Sequence, residues 1–233
     1  MRLRDLALEP AGHARRIFKR HHRALIPVLN NETGGGAEVA EPVRLQLQQL
    51  IGHHAALGGT LTLNYAAMAA VVGCIVKSVA RHGFSRIFVM NGHGGNIAGL
   101  ETIITELTVE LKLPLAAGTY WQIAQASIAS ILTQQDRVLH ACEAETSMLQ
   151  ALSPETVKPL KKSFRTPLIP GLSAIPGVNP GIYRWQQLST RSPLGLIGEA
   201  WAASPEKGQR LLQAIASDVA QALSEPALWD TPI

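Results

Sequence analysis

Hydrophobic residues along the chain fall into short runs and into longer segments with helical spacing. Residues 24–28 form a short apolar run that predicts a buried strand. From Tyr65 to His82, apolar residues recur three and four positions apart, which predicts an amphipathic helix ending at Gly83. The residues of its apolar stripe are Met68, Val72, Ile75 and Val79.

The segment that follows combines both patterns. Arg86–Met90 predicts a strand, Asn91–Asn96 a glycine-rich turn, Ile97–Lys112 a second helix and Pro114–Tyr120 another strand. A strand, helix and strand in this order form a βαβ unit, which requires a parallel sheet covered by helices. The pattern therefore predicts an α/β fold.

The C-terminal third begins with an irregular segment, residues 165–193, that is rich in proline and glycine. Loops of this length in compact domains are typically lids or oligomer contacts. Ser204 and Pro205 then predict the start of a last helix, with Ser as N-cap, that runs to about Leu223. Without repeats or a linker, we predict a single domain over residues 24–233.

Charge is distributed unevenly. The net charge is +4, yet residues 1–23 carry seven Lys or Arg and two acidic residues, so the remaining 210 residues sum to −1. We interpret residues 1–23 as a basic N-terminal arm, either solvated or in contact with a polyanion. The rest of the chain does not indicate a nucleic-acid-binding surface.

Two cysteines, Cys74 and Cys142, are too few for a disulfide framework. The N-terminus lacks the apolar core of a signal peptide, and no apolar run reaches the roughly 18 residues of a membrane span. We therefore expect a cytoplasmic protein with no membrane contact.

The hexapeptide Asn-Gly-His-Gly-Gly-Asn, residues 91–96, carries the clearest chemical signal. It follows a predicted strand, where open α/β sheets bind ligands, and its glycines permit tight or left-handed backbone and close approach by a ligand. His93 in this place is suited to metal binding or proton transfer, or else it only caps the turn. A dinucleotide site is excluded, because Ile97 stands where the third glycine should be.

A second candidate cluster spans His140–Ser147. His140 precedes a predicted helix whose first turn contains Glu143 and Glu145, an arrangement suited to acid/base work or to a metal site. The alternative is ordinary capping, because acidic residues are favoured in any first helical turn. Cys142 as a nucleophile is a further, weaker alternative.

Together these segments resemble the creatininase (creatinine amidohydrolase) family. Residues 91–96 match its Asn-Gly-His-Gly-Gly-Asn signature, and His140–Ser147 resembles its His-Ala-Gly-x-x-Glu-Thr-Ser segment with Cys142 in place of Gly. Shorter matches also occur, at Gly59–Leu63, Arg81–Phe84, Leu194–Gly198 and Ser204–Gly208.

The resemblance implies a three-layer αβα sandwich, assembly into homo-oligomers such as hexamers, and hydrolysis of small, often cyclic, amides with a Zn or Mn centre. It implies that His93 is a metal ligand, His140 the proton donor to the leaving nitrogen, and Glu145 a catalytic residue at the metal. We predict that the turn around His93 and one nearby aromatic residue bind the substrate; these residues are Asn91, Gly94, Gly95, Asn96 and Trp121.

The N-terminal ligand region departs from the family pattern. An ungapped alignment keeps Glu32 as a metal ligand, but places Gly34 where a histidine and Val43 where a metal-bridging aspartate should stand. Three explanations remain. In the first, other residues rebuild a site, for a single ion or for two; the candidates are Glu38, Glu41, His53 and His54. In the second, the chain is a non-catalytic relative that binds a ligand or assembles with other subunits. In the third, residues 8–57 contain a frameshift or deletion.

Overall fold

The computed structural model describes residues 62–163, 178–179, 181–192 and 194–230, together with the backbone of residues 23–28. The predicted N-terminal arm up to residue 22, Glu32 with its possible substitutes, and much of the 165–193 segment lie outside the described residues.

Among the described residues, three strands form a parallel sheet in the order β1-β2-β3. Strand β1 is Arg23–Val28, β2 is Arg86–Asn91 and β3 is Leu115–Thr119. In the register of the strands, Val28 pairs with Asn91 and Asn91 with Thr119, so the carboxyl ends of all three strands align at one edge. This sheet, with helices between and after its strands, confirms the α/β prediction.

Six α-helices accompany the sheet in the described part of the chain. The first two end where the sequence predicts: helix α1 is followed by Gly83 with a φ of +87°, and α2 by Lys112 in the left-handed region. Two short helices, α3 and α4, were not predicted. The helices are α1 Tyr65–Arg81, α2 Ile97–Leu111, α3 Tyr120–Ile123, α4 Gln125–Ile131, α5 Glu143–Leu152 and α6 Pro205–Ser224.

Helices α1 and α2 pack on one face of the sheet. Side chains alternate along a strand, and Ile87 and Val89 of β2 meet these two helices in a hydrophobic cluster. The apolar stripe of α1 differs in one place from the prediction: Ile75 is 40% exposed, whereas its neighbour Val76 is fully buried. The remaining buried members of this cluster are Met68, Val72, Leu100, Ile103, Leu107 and Leu115.

The opposite face of the sheet receives α3. Phe88 points away from the first cluster, and a Cβ at Gly118 would lie 3.0 Å from its ring and 2.9 Å from Ile123 of α3. A residue larger than glycine would require the Ile123 and Phe88 side chains to shift. Beyond this contact, helices α3 to α6 enclose a second core that includes Ile128, Cys142 and Leu211.

Helices α5 and α6 approach each other very closely at Gly208. A Cβ there would lie 2.0 Å from the carbonyl oxygen of Ser147, so only glycine fits. The Ser147 hydroxyl donates to the Glu143 carbonyl at 2.6 Å and accepts from the backbone N–H of Ser204 at 3.2 Å. These contacts join the His140–Ser147 segment to the Ser204–Gly208 segment at the start of α6.

Within the described residues, no helix combines the length and hydropathy that a membrane span requires.

Candidate functional site

His93 lies at the carboxyl-terminal edge of the sheet, two residues after β2 ends. Its side chain is largely buried, with a relative exposure of 6%. This edge is where open parallel sheets bind ligands, because the loops that follow the strands converge there. The prediction placed His93 at this edge, and the structure puts it there.

The side chain of Asn91 holds the backbone of His93 on both sides. Its Nδ2 donates to the His93 carbonyl at 2.9 Å, and its Oδ1 accepts from the His93 N–H at 3.0 Å. The same Nδ2 donates to Thr119 Oγ1 at 2.9 Å, and the same Oδ1 accepts from Asn96 Nδ2 at 3.5 Å. Asn91, Thr119 and Asn96 are all buried, so this network is shielded from water.

The glycines of the hexapeptide serve one of the two backbone purposes that the sequence suggested, a tight turn. Gly94–Asn96 forms a 3-10 turn that leads directly into α2. In the described chain, the glycines with positive φ are Gly83, Gly195 and Gly198, and none lies in the hexapeptide. The hexapeptide therefore makes a tight turn without left-handed glycines.

Asn96 retains an unused acceptor. The residue is 1% exposed, and its Oδ1 has no hydrogen-bond partner among the described residues. A buried acceptor without a donor costs free energy, and such groups are rare in folded proteins. Asn96 precedes α2 without capping it through its side chain.

The second candidate segment is fixed by its backbone. His140, 5% exposed, pairs with Ile197 in an antiparallel bridge: its N–H donates at 3.3 Å, and its carbonyl accepts at 2.7 Å. Ala141 then adopts a left-handed conformation with a φ of +47°, and its N–H donates to Glu145 Oε2 at 2.6 Å. Glu145 therefore stabilises the turn that precedes α5, as the capping alternative predicted.

The carboxylate of Glu143 is buried and hydrogen-bonded within the protein. It has no exposed surface, and it accepts from the N–H and hydroxyl of Thr133, from the N–H of Gln134, and from Lys207 Nζ at 2.6 Å. Burial alone would raise the pKa of Glu143, but the Lys207 ammonium and these hydrogen bonds outweigh it and hold that pKa below its ordinary value. A carboxylate so fully engaged is a poor proton acceptor.

Cys142 does not have the properties of a nucleophile. It is fully buried, and burial followed by the negative charge of Glu145 raises the pKa of its thiol to about 11. At neutral pH the thiolate that a nucleophile needs is essentially absent. Cys142 instead packs in the second core, and its sulfur accepts from the Leu139 N–H at 3.3 Å.

Trp121 is half-buried and packs against the second core, and its ring meets that of Tyr120 edge-on with a centroid distance of 4.9 Å. Two further aromatic residues, Tyr183 and Trp185, are 63% and 43% exposed. Trp121 as a substrate contact stays a prediction.

The described residues contain no group of three or more His, Cys, Asp and Glu side chains that could hold a metal ion. The structure brings Asn91, His93 and Asn96 into one network, while His140 and Glu145 belong to a second segment. Glu32 lies outside the described residues. Two polar residues to which the sequence assigns no role, Thr119 and Lys207, anchor these two segments. Lys207 lies within the Ser204–Gly208 match, whereas no local sequence pattern marks Thr119.

Comparison with protein families gives a match over most of the chain. The Creatininase model, described as creatinine amidohydrolase, matches residues 24–223. Creatinine amidohydrolase of Pseudomonas putida is 27% identical over 179 residues, which cover 72% of this chain and 65% of the relative. Mycofactocin precursor peptide peptidase of Mycobacterium ulcerans (strain Agy99) is 26% identical over 178 residues, which cover 76% of this chain and 62% of the relative. The chain thus spans less than two thirds of either relative.

Solved structures support the same fold. A creatininase variant of the Zn–Zn type matches with a TM-score of 0.65 and 20% identity, covering 97% of each chain. A manganese form of creatininase matches with a TM-score of 0.54 and 24% identity, covering 76% of this chain and 68% of the other.

Proposed function

The chain belongs to the creatininase family, and from this premise we propose that it is a hydrolase that cleaves the C–N bond of a small, often cyclic, amide with a divalent metal ion, Zn or Mn. The observation that carries the proposal is His93: a buried imidazole, held from both sides by Asn91, at the edge of the sheet where α/β proteins bind ligands.

The metal can be tested against the donors that the structure describes. His93 and Glu145 offer the nitrogen and oxygen donors that Zn and Mn accept. A catalytic zinc normally has three protein ligands, and the described residues do not gather three. A complete site therefore requires donors from outside the described residues, of which Glu32 is the first candidate.

When bound, such an ion would polarise the amide carbonyl and lower the pKa of water. The chain's own residues then have three tasks. His93 binds the metal ion, with its backbone fixed by Asn91. His140, held by its bridge to Ile197, donates a proton to the leaving nitrogen. Asn96 Oδ1, a buried acceptor, receives an N–H of the substrate.

The amide C–N bond is the only feature of the substrate that this proposal specifies. One relative is named for creatinine and another for a precursor peptide. A screen therefore needs a cyclic amide, a linear small amide and a short peptide side by side.

The experiment is metal analysis of the full chain after exposure to Zn²⁺ or Mn²⁺, followed by the amide screen. We expect His93→Ala to lose metal, and His140→Ala to keep metal but lose turnover. His82→Ala, at an exposed histidine after α1, is the matched control and should retain both. Wild-type protein that binds neither metal would contradict the enzyme proposal.

The rival proposal is a non-catalytic subunit that binds a ligand or assembles with other subunits. It is favoured by one observation, that Gly34 and Val43 stand where the family has a histidine and a metal-bridging aspartate. Under this rival, His93→Ala should change the molar mass measured by light scattering and leave no turnover to lose. A homo-oligomer, with a hexamer as the first expectation, is proposed in either case.

A further inference from the structure

Thr119 is the last residue of β3 and the partner of Asn91 in the parallel register. It is 3% exposed, and its hydroxyl accepts from Asn91 Nδ2 at 2.9 Å. Twenty-eight residues separate the two in sequence. Thr119 also precedes α3, but its side chain does not cap that helix. Its hydroxyl instead joins β3 to the turn that carries His93.

The amide of Asn91 has no capacity left for a substrate. An asparagine side chain has two N–H donors and an oxygen with two acceptor positions. Both donors are used, by His93 O and Thr119 Oγ1, and both acceptor positions are used, by His93 N and Asn96 Nδ2. At 1% exposure, water does not compete for any of them.

The amide orientation is fixed by the backbone of His93. If the oxygen and nitrogen of Asn91 exchanged places, the amide nitrogen would face the His93 N–H and the oxygen would face the His93 carbonyl. Donor would then meet donor and acceptor would meet acceptor. Thr119 adds a third contact to the same amide, from the neighbouring strand.

We propose that Thr119 and Asn91 are positioning residues: Thr119 holds the Asn91 amide, Asn91 holds the backbone of His93, and neither touches the substrate. The placement of His93 relative to the sheet is thus set across the β2–β3 pair and not by the turn alone. The proposal rests on the proposed function only for what His93 does once placed. The geometry of the network does not depend on it.

The test compares Thr119→Val, which keeps the side-chain shape and removes the hydroxyl, with Thr119→Ser, which keeps the hydroxyl. The readout is hydrogen exchange at the His93 N–H, with the Val89 N–H inside β2 as an internal reference. We expect Thr119→Val to accelerate exchange at His93 on the order of tenfold while Val89 stays unchanged, and Thr119→Ser to behave as wild type.

Equal acceleration at His93 and Val89 would show a general loss of stability, and no acceleration at either would show that Thr119 is dispensable; both results overturn the proposal. If Thr119→Val does not fold, Thr119→Ala removes the same hydroxyl and serves instead.

Metal binding and kinetics add a second measurement. We expect Thr119→Val to weaken metal affinity, but by less than the roughly 10-fold to 100-fold loss that removal of a direct hydrogen-bond partner of a metal ligand causes, because Thr119 acts on His93 through Asn91. If turnover is found, kcat should fall and KM should hold; a raised KM at constant kcat would make Asn91 a substrate contact and overturn the proposal. If no metal binds, the proposed function fails, while the hydrogen-exchange result still decides the positioning role.

Discussion

Breaking the ion pair between Lys207 and Glu143 should destabilise the protein strongly. Lys207→Met keeps the aliphatic stem and removes the charge, whereas Glu143→Gln keeps the shape of the carboxylate and removes its charge. Both partners are poorly exposed, at 18% and 0% of their side chains, so solvent screens the pair little. Loss of one partner from a buried pair typically costs about 3–5 kcal/mol.

The remaining hydrogen bonds rank the two variants. Without Lys207, the Glu143 carboxylate still accepts from Thr133 and Gln134, so we expect a loss near the lower end, about 3 kcal/mol. In Glu143→Gln, the NH2 group of the new amide faces donors from Thr133 or Gln134 that require an acceptor. The Lys207 ammonium also loses its counter-charge. The loss for this variant should approach about 5 kcal/mol.

Denaturant unfolding followed by circular dichroism measures both changes, and the double variant completes a cycle. Losses below about 1 kcal/mol for both single variants would refute the reasoning, since such values are typical of surface pairs. A double variant whose loss equals the sum of the two would also refute it, because no coupling would remain.

The pH dependence of stability has a definite sign. The folded protein holds the pKa of Glu143 below its ordinary value of 4.5, so the unfolded state takes up its proton first as pH falls. The stabilisation is complete above that value and is lost below it. Lys207→Met removes much of the cause, so the stability difference between wild type and this variant should shrink as pH is lowered below about 4.5.

Two further predictions follow from packing and burial. Gly208→Ala should destabilise the protein by about 3 kcal/mol, because its Cβ would meet the Ser147 carbonyl oxygen at 2.0 Å, even though alanine favours helix by about 1 kcal/mol. The control is Ser217→Ala, at an exposed position of the same helix, which should change stability by less than about 0.5 kcal/mol. Equal effects of the two substitutions in denaturant unfolding would contradict the contact at Gly208. A thiol reagent should modify the exposed Cys74 in the folded protein and reach the buried Cys142 only after unfolding; two fast thiols in the folded state would contradict its burial.

The longer elements of the fold were predictable because their signals are local. Helix α2 begins and ends within one residue of the predicted bounds, Ile97–Lys112, because periodicity and the turn before it mark both ends. Helices α3 and α4 were not predicted. They are short and neither has a side-chain cap, so no capping residue in the sequence marks where they begin. Ile75 was assigned to the core because spacing alone does not distinguish it from Val76.

The sequence predicted where His93 lies in the fold, but it did not predict the hydrogen bonds that hold the candidate site together. His93 lies where a histidine after a strand should, at the carboxyl edge of the sheet. Its link to Thr119 depends on the register of two strands, and the link of Glu143 to Lys207 spans 64 residues. Such contacts exist only once the chain has folded, so no spacing rule finds them.

The closed hydrogen-bond network around Asn91 has a consequence for how the hexapeptide persists during evolution. Three of its six residues, Asn91, His93 and Asn96, are already joined to one another by hydrogen bonds of the Asn91 amide. A descendant that lost its catalytic ligands would still need Asn91 to close the strand-to-helix joint. Selection for folding alone can therefore preserve this residue, and with it part of the signature, long after turnover has disappeared.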